Sequence, residues 1–191
     1  METRSPLRVV VVGAVALGPK VACRLRRLLP DAAITVVDQD RFISYGGCGI
    51  PYYLADEVPD ETQLMSTSFH AVRDVRFFRE AKGVTVLPRT RAAAIDRERR
   101  VVAVENLDTG ARTELPYDRL VLAMGSVSAV PPVPGRDLAN VFFVHNLQNA
   151  LDLKRALITE EIQNAVVVGG GAIGLEVTEA LADVWNLKTA V

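Results

Sequence analysis

Cysteine, excess charge and long apolar runs are all scarce in this 191-residue chain, and each scarcity removes a class of explanation. Only Cys23 and Cys48 occur, which excludes a disulfide-built scaffold and any four-cysteine metal site. Lys and Arg number 22 against 23 Asp and Glu, a formal net charge of −1. That balance gives no electrostatic basis for binding nucleic acid or an anionic membrane. The apolar run in METRSPLRVVVVGAVALG is too short to span a bilayer and leads straight into a glycine turn. A strand–turn–helix pattern stands where a signal peptide would carry its cleavage region, so a cytoplasmic protein is expected. The only histidines, His70 and His145, lie in no acid–base motif and are expected to be surface or structural. No metal site is expected, and no repeat or low-complexity segment is present. What remains is 49% hydrophobic and 24% charged, the composition of a soluble globular protein of one domain, or one domain and part of another.

Periodicity gives an α/β order. Leu7 to Val12 form a short β-branched run suited to a buried parallel strand. Gly13 to Gly18 form a turn, Val21 to Leu29 read as a helix with Val21, Leu25 and Leu28 on one face, and Ala33 to Val37 as the next strand. This is one βαβ unit of about 30 residues. Phe69 to Lys82 read as helix and Val84 to Leu87 as strand. Ala92–Ile95, Val101–Asn106 and Ala111–Leu115 read as short antiparallel strands, with Asp108-Thr109-Gly110 as a hairpin turn. Leu120 to Ala123 are another buried strand. The stiff segment Val130-Pro131-Pro132-Val133-Pro134-Gly135 marks a boundary, with one domain over residues 1–130 and a connector and second domain over 131–191. Beyond it, Leu147 to Ile158 read as helix, and Ala165–Val168, Gly169–Gly174 and Leu175–Trp185 begin a second βαβ unit.

Gly13-Ala14-Val15-Ala16-Leu17-Gly18 is a modified G-x-G-x-x-G. The first glycine permits the tight turn and the last permits close helix–strand packing. The helix start presents backbone N–H groups to a pyrophosphate. Val15 replaces the middle glycine and leaves the approach to phosphate less open. Asp38 follows Gly18 by 20 residues, where a carboxylate accepts hydrogen bonds from an adenosine ribose. Leu17 either narrows the phosphate site or points into the core, and Pro19 is tolerated in a first helical turn.

Residues 44–54 read Ser-Tyr-Gly-Gly-Cys-Gly-Ile-Pro-Tyr-Tyr-Leu. A cysteine among glycines before a helix is accessible, and the positive end of the backbone dipoles there favours a nucleophilic thiolate. Such a sulfur can cycle through a sulfenate or a mixed disulfide. Cys23, mid-helix beside Ala22, reads instead as a small core hydrophobe.

Gly-Ala-Val-Ala-x-Gly, Ser-Tyr-Gly-Gly-Cys-Gly-Ile-Pro-Tyr-Tyr and the later Val-Val-Gly-Gly-Gly-Ala-Ile-Gly-Leu-Glu occur in that order. Together they resemble the coenzyme A-disulfide reductase, NADH oxidase and polysulfide reductase group of the pyridine nucleotide–disulfide oxidoreductases. The resemblance covers nearly the whole chain. It implies a Rossmann-like FAD-binding domain with a small antiparallel β insertion, followed by the truncated start of a second Rossmann-like NAD(P)-binding domain. No second cysteine follows Cys48, so the single-cysteine branch is implied. By resemblance, Gly13, Ala14, Val15, Ala16 and Gly18 hold the FAD pyrophosphate, Asp38 its ribose, and the backbone at Ala92 its adenine. Ala123, Met124 and Gly125 match a flavin-contacting Ala-Thr-Gly motif, with Met124 in place of threonine. Ser44 and Cys48 face the flavin as the catalytic pair. Arg27 matches an arginine that grips coenzyme A; a solvated helix end is the plainer alternative. Gly47 stands where coenzyme A-disulfide reductases often carry asparagine, which leaves polysulfide- or oxygen-linked activity open.

Gly169-Gly170-Gly171-Ala172-Ile173-Gly174 satisfies G-x-G-x-x-G without substitution and precedes Glu176. By resemblance Gly169, Gly171, Gly174 and Glu176 belong to an NAD(P)H site. The residue that separates NADH from NADPH is expected about 20 residues after Gly174, past Val191. The resemblance implies hydride passing from NAD(P)H to FAD and electrons onward to Cys48, which attacks a small disulfide, polysulfide or persulfide. An NADH oxidase or peroxidase working through a sulfenate is the enzymatic alternative. A homodimer is implied for the complete enzyme. The 191 residues are expected to be a fragment or a truncated product, a flavin-binding piece without turnover. Residues beyond about 160 are expected to be poorly supported unless a partner or neighbouring chain covers them, because a two-stranded stub cannot bury both faces of a parallel sheet.

Overall fold

The valine run Val9–Val12 lies in the first strand of a computed structural model that describes residues 5–191. The order begins β1 (Arg8–Val12), α1 (Leu17–Leu28) and β2 (Ala33–Val37). A 3-10 turn (Gly47–Gly49) then continues into α2 (Ile50–Leu54), followed by α3 (Glu61–Leu64), α4 (Val75–Lys82) and β3 (Thr85–Leu87). Next come β4 (Thr90–Asp96), β5 (Val101–Asn106), β6 (Arg112–Pro116), β7 (Arg119–Leu122), α5 (Leu147–Thr159) and β8 (Asn164–Val166). The chain closes with α6 (Ala172–Glu179), a π-helical turn (Ala180–Val184) and β9 (Lys188–Ala190). By internal contacts it divides into two units. The first runs up to Tyr45 and includes Met65–Gly125; the second joins Gly46–Leu64 to Ser126–Val191. The sequence boundary at residues 130 and 131 cuts the chain once, whereas this division also assigns the cysteine segment to the second unit.

The first unit is built on a parallel sheet in the order β3-β2-β1-β7. β1 sits between β2 and β7, with Val12 opposite Val37 on one side and Leu122 on the other. Alternation along β1 then serves two cores at once. Val9 and Val11 pack with Ala22 of α1, Ile34 and Val36 of β2 and Phe78 of α4. Val10 and Val12 pack on the opposite face with Val37, Val102, Val104 and Tyr117. The second face is covered by the antiparallel sheet β4-β5-β6, whose hairpin turn at Asn106–Gly110 is closed by the Asn106 side chain accepting from the Asp108 and Thr109 amides. The α/β architecture with an antiparallel insertion is the one expected.

Three helices differ from their sequence reading, and the last, expected over Leu175–Trp185, starts at Ala172 and passes into a π-helical turn at Ala180. α1 starts at Leu17, four positions before the Val21 expected, so Gly18 and Pro19 lie inside its first turn. Its buried residues are Gly18, Pro19 and Ala22, while Leu28 is exposed. Residues 69–74, read as helix, are outside it. Asp74 caps α4 by accepting from the Phe77 amide at 2.7 Å, so the helix begins at Val75.

In the second unit, α2, α5, α6 and the π-helical turn bury Ile50, Leu54, Leu147, Leu153, Leu157, Val177 and Leu181. β8 and β9 form a parallel pair, Ala165 opposite Thr189, and complete a second βαβ unit. The expectation of poor support beyond residue 160 divides here. Val177 of α6 is buried, but Val166 and Val168 remain 75% and 89% exposed. No helix among the described residues is long and apolar enough to cross a membrane.

Candidate functional site

In the first unit the carboxyl ends of β1, β2 and β7 converge on the first glycine turn. Gly13 takes φ +108° and donates its N–H to the Val37 carbonyl at 2.8 Å. A Cβ at Gly13 would overlap the carbonyl of Ala123, and one at Gly18 would overlap the carbonyl of Gly13. Only glycine lets the strand end, the helix start and β7 approach this closely. Ala14 donates its N–H to Asp38 Oδ2 at 2.5 Å, and Asp40 donates to Asp38 Oδ1 at 2.9 Å. Each carboxylate oxygen thus holds one amide and has capacity for a further donor. Ser44 is buried at φ +52° and donates its N–H to the Ala14 carbonyl at 2.7 Å. Ala123 donates its N–H to Val12 O at 2.7 Å, and Met124 is exposed beyond it.

Gly13, Ala14, Asp38, Ser44 and Ala123 are therefore brought together. Val15 is half-buried and Ala16 exposed in the same turn, and Gly125 takes φ +69° after β7. Leu17 is 56% exposed, which resolves its two readings against the core. Ala92 lies apart in β4, opposite Val104 at a bulge, with its side chain on the Val10–Val12 core. Arg27 is exposed in the last turn of α1. Cys23 is half-buried against the Val9–Val11 core. Burial pushes its thiol pKa up, offset in part by Lys82 and Arg27, which suits an unreactive core position.

In the second unit the other glycine turn repeats the construction. Gly169 takes φ +122°, and a Cβ at Gly174 would overlap the Gly169 carbonyl. Gly171 is the N-cap of α6, and Glu176 is exposed on that helix. Among the helices of eight residues or more, capping separates these two starts from the others. α4 and α5 carry side-chain caps, Asp74 to Phe77 N at 2.7 Å and Asn146 to Asn149 N at 2.9 Å. α1 and α6, which begin at the two G-x-G-x-x-G turns, have no side-chain cap hydrogen bond, and neither has the five-residue α2 after Gly49. The first-turn amides of α1 and α6 therefore have no side-chain acceptor at the cap, an arrangement suited to an anion at the helix start.

Cys48 is exposed at the centre of the 3-10 turn. Gly46 donates its N–H to Leu64 O at 2.8 Å, and Gly49 donates to Gly46 O at 2.9 Å. Gly49 lies against the Leu64 side chain, whereas a Cβ at Gly47 would meet no described atom within 4 Å. Pro51 stands in the first turn of α2, where its missing N–H costs no helical bond. The far end of α2 holds two residues that the motifs did not reveal. Lys154 Nζ donates to Tyr53 O at 2.7 Å, pairs with Asp56 Oδ1 at 2.6 Å and lies 4.0 Å from the Tyr53 ring centroid. Trp185 Nε1 donates to Leu54 O at 2.8 Å. Burial raises the Tyr53 hydroxyl pKa, with Glu61, Asp60 and Asp56 adding to it. A signal for Lys154 was present: it falls in the stripe Leu147, Ala150, Leu153, Leu157, where a helix of this spacing places its core face. Trp185 left none.

Comparison with known proteins is consistent across sequence and structure. The family described as pyridine nucleotide-disulphide oxidoreductase matches residues 7–190. Coenzyme A disulfide reductase from Staphylococcus haemolyticus is 33% identical over 174 residues, which are 91% of this chain and 38% of that protein. NADH oxidase from Enterococcus faecalis is 30% identical over 97% of this chain and 40% of its own length. The structure of an NAD-dependent persulfide reductase from A. fulgidus superposes with a TM-score of 0.92 at 38% identity, over 96% of this chain and 33% of that one. The chain thus spans between a third and two-fifths of the length of these relatives.

Proposed function

Because this chain belongs to the pyridine nucleotide-disulphide oxidoreductase family, we propose that it carries the flavin turn, the redox sulfur and the first nicotinamide-binding turn of an NAD(P)H-dependent reductase. The substrates are low-molecular-weight disulfides, polysulfides or persulfides. The observation that supports this most directly is the pair of uncapped helix starts at glycine turns, α1 and α6, where the other long helices carry Asp or Asn caps. The family is FAD-dependent. Residues 1–130 are read as the first segment of the FAD domain, and 131–191 as connector and opening of the NAD(P) domain.

The α1 start, with Gly13, Ala14, Val15, Ala16 and Gly18, holds the FAD pyrophosphate, and Asp38 accepts from the ribose with its remaining lone pairs. Because Asp38 also fixes the Ala14 amide, the same carboxylate shapes the turn and reads the ligand. Ala123, Met124, Gly125 and Ser44 border the flavin, and the Ala92 backbone serves the adenine. The α6 start, with Gly169, Gly171 and Gly174, takes the NAD(P)H pyrophosphate, beside Glu176. Bound FAD supplies the two-electron relay between NAD(P)H and sulfur. Cys48 as thiolate attacks one sulfur of R–S–S–R, forming the Cys48–S–S–R mixed disulfide and releasing RS⁻. Two electrons and a proton then return Cys48 to its thiolate and release RSH. Arg27 is the proposed contact for an anionic carrier such as coenzyme A. The complete enzyme is proposed to be a cytoplasmic homodimer.

The test uses the complete enzyme with NADH or NADPH and coenzyme A disulfide, polysulfide or oxygen in parallel. Cys48→Ser should abolish sulfur turnover and leave bound FAD, read from its visible absorbance. Retained sulfur turnover in that variant would sink the assignment of Cys48. Turnover with oxygen alone would move the reading to the oxidase chemistry of the Enterococcus faecalis relative. The 191-residue chain is expected to bind FAD without turning over; a colourless folded chain would remove flavin binding from it.

A further inference from the structure

α2 is five residues long, and a helix that short has almost no interior. Of its last carbonyls, those of Pro51 and Tyr52 accept from the Ala55 and Val58 amides, and Tyr53 O has only a long 3.4 Å bond from the Asp56 amide. The nucleation cost of the helix is not recovered by propagation. Something outside it must hold the cysteine turn that runs into it. At the entrance, the Gly46 N–H is held by Leu64 O. At the exit, two successive carbonyls are taken by side chains from far along the chain. Lys154 of α5 takes Tyr53 O from 101 positions away, and Trp185, just after the π-helical turn, takes Leu54 O from 131 positions away.

Lys154 is itself costly to place. Only 9% of its side chain is exposed, in the apolar face of α5. A buried ammonium persists when its charge and its donors are met. Asp56, the Tyr53 carbonyl and the Tyr53 ring meet them here, and all three belong to α2 or its C-terminal turn. Methionine or leucine would fill that stripe without such a requirement, so the lysine is explained by what it holds. Trp185 follows the helix that starts at the second glycine turn, and the π-helical turn Ala180–Val184 precedes it. Wider turns of this kind re-aim the residues after them.

We propose that Lys154 and Trp185 are positioning residues for Cys48, forming a clamp by which α5 and the α6 end hold the exit of the cysteine helix. This deepens the reading of Cys48 as the redox sulfur and rests on it. It also assigns residues of the nicotinamide-side segment a role in seating the sulfur, independent of nucleotide contact.

The test is deuterium exchange resolved by segment in the 191-residue chain, with iodoacetamide alkylation of Cys48 followed on its own peptide. Trp185→Phe keeps an aromatic ring and removes the N–H; Lys154→Met keeps most of the stem and removes the ammonium. Each should raise exchange across 47–55 by about tenfold, the effect of one lost hydrogen bond on a local opening. Exchange in β1 should stay unchanged. Lys154→Arg, which retains donors for both Tyr53 O and Asp56, should restore protection. Alkylation at Cys48 should follow the same order. Asp56→Asn, on the exposed side of the pair, gives the same readout at smaller amplitude without opening the core. Unchanged exchange at 47–55, or a rise shared equally by β1, would overturn the proposal. These readouts need no turnover, so they separate a failed clamp from a failed assignment of Cys48, which the Cys48→Ser assay judges.

Discussion

Gly13 and Gly169 both turn the chain through a positive φ, and Gly18 and Gly174 both press a helix onto the glycine before it. The two turns differ in their neighbours. A Cβ at Gly13 would strike the end of β7, while one at Gly169 would meet no described atom within 4 Å. The strand leading to the first turn is buried on both faces; Val166 and Val168, leading to the second, are exposed. The same local motif thus sits once in a finished parallel sheet and once on a two-stranded pair. The turn is a local property, and its rigidity is a property of the strands beside it.

That contrast is open to direct attack. The largest effect is expected from Gly13→Ala, which combines a left-handed backbone with overlap at Ala123. Urea unfolding should show a loss of about 3–5 kcal/mol. Gly169→Ala meets only the backbone term, about 1–2 kcal/mol, so the two alanines should differ severalfold in cost. Next in size, Val11→Ala removes fully buried methyl groups and should cost about 2 kcal/mol, whereas Val166→Ala should stay within about 0.5 kcal/mol by the same measurement. Val15→Gly makes the first turn match the second. It should tighten FAD binding, read by flavin fluorescence titration, at a stability cost of about 0.5–1 kcal/mol from added chain freedom.

The smallest effect concerns the other end of β1. Asp118 accepts from Arg8 N at 2.8 Å and pairs with Arg8 Nη2 at 3.0 Å, which draws its pKa down to about 2. A carboxylate depressed on folding stabilises above its ordinary value, and that contribution disappears as pH falls through the folded value. The first unit should therefore lose this contribution between the ordinary aspartate range and about pH 2. Asp118→Asn should flatten that part of the acid unfolding curve followed by circular dichroism. A curve unchanged by the substitution would mean that solvent screens the pair entirely.

Much of this was legible in the residues themselves. β-branched runs gave β1, β2 and β5, and the Asp108–Gly110 turn gave the hairpin, because those signals are carried within a few positions. Asp38 was legible because its spacing from Gly18 is fixed by one helix and one strand. Helix starts were less so. The apolar stripe placed the start of α1 at Val21 although Pro19 is admissible in a first turn, where it sits, and Asp74 ends the stretch from Phe69 by capping, a competition between local bonds that periodicity does not register. The clamp on α2 was not legible as a pair. Its partners are more than a hundred positions apart, and nothing at Leu54 or Trp185 names the other.

The place of β7 beside β1 has a consequence in time. Arg8 and its partner Asp118 are 110 positions apart, so the ribosome releases the strand that flanks β1 long after β1 itself. At about 5–20 residues per second, roughly 5 to 20 s pass while the valine strand shows an unpaired edge. An apolar edge with free backbone donors and acceptors is a template for the wrong partner. During synthesis, the glycine turn encoded first is among the last features of its unit to acquire its final neighbour. The interval before β7 arrives is when this nascent chain has most need of a chaperone.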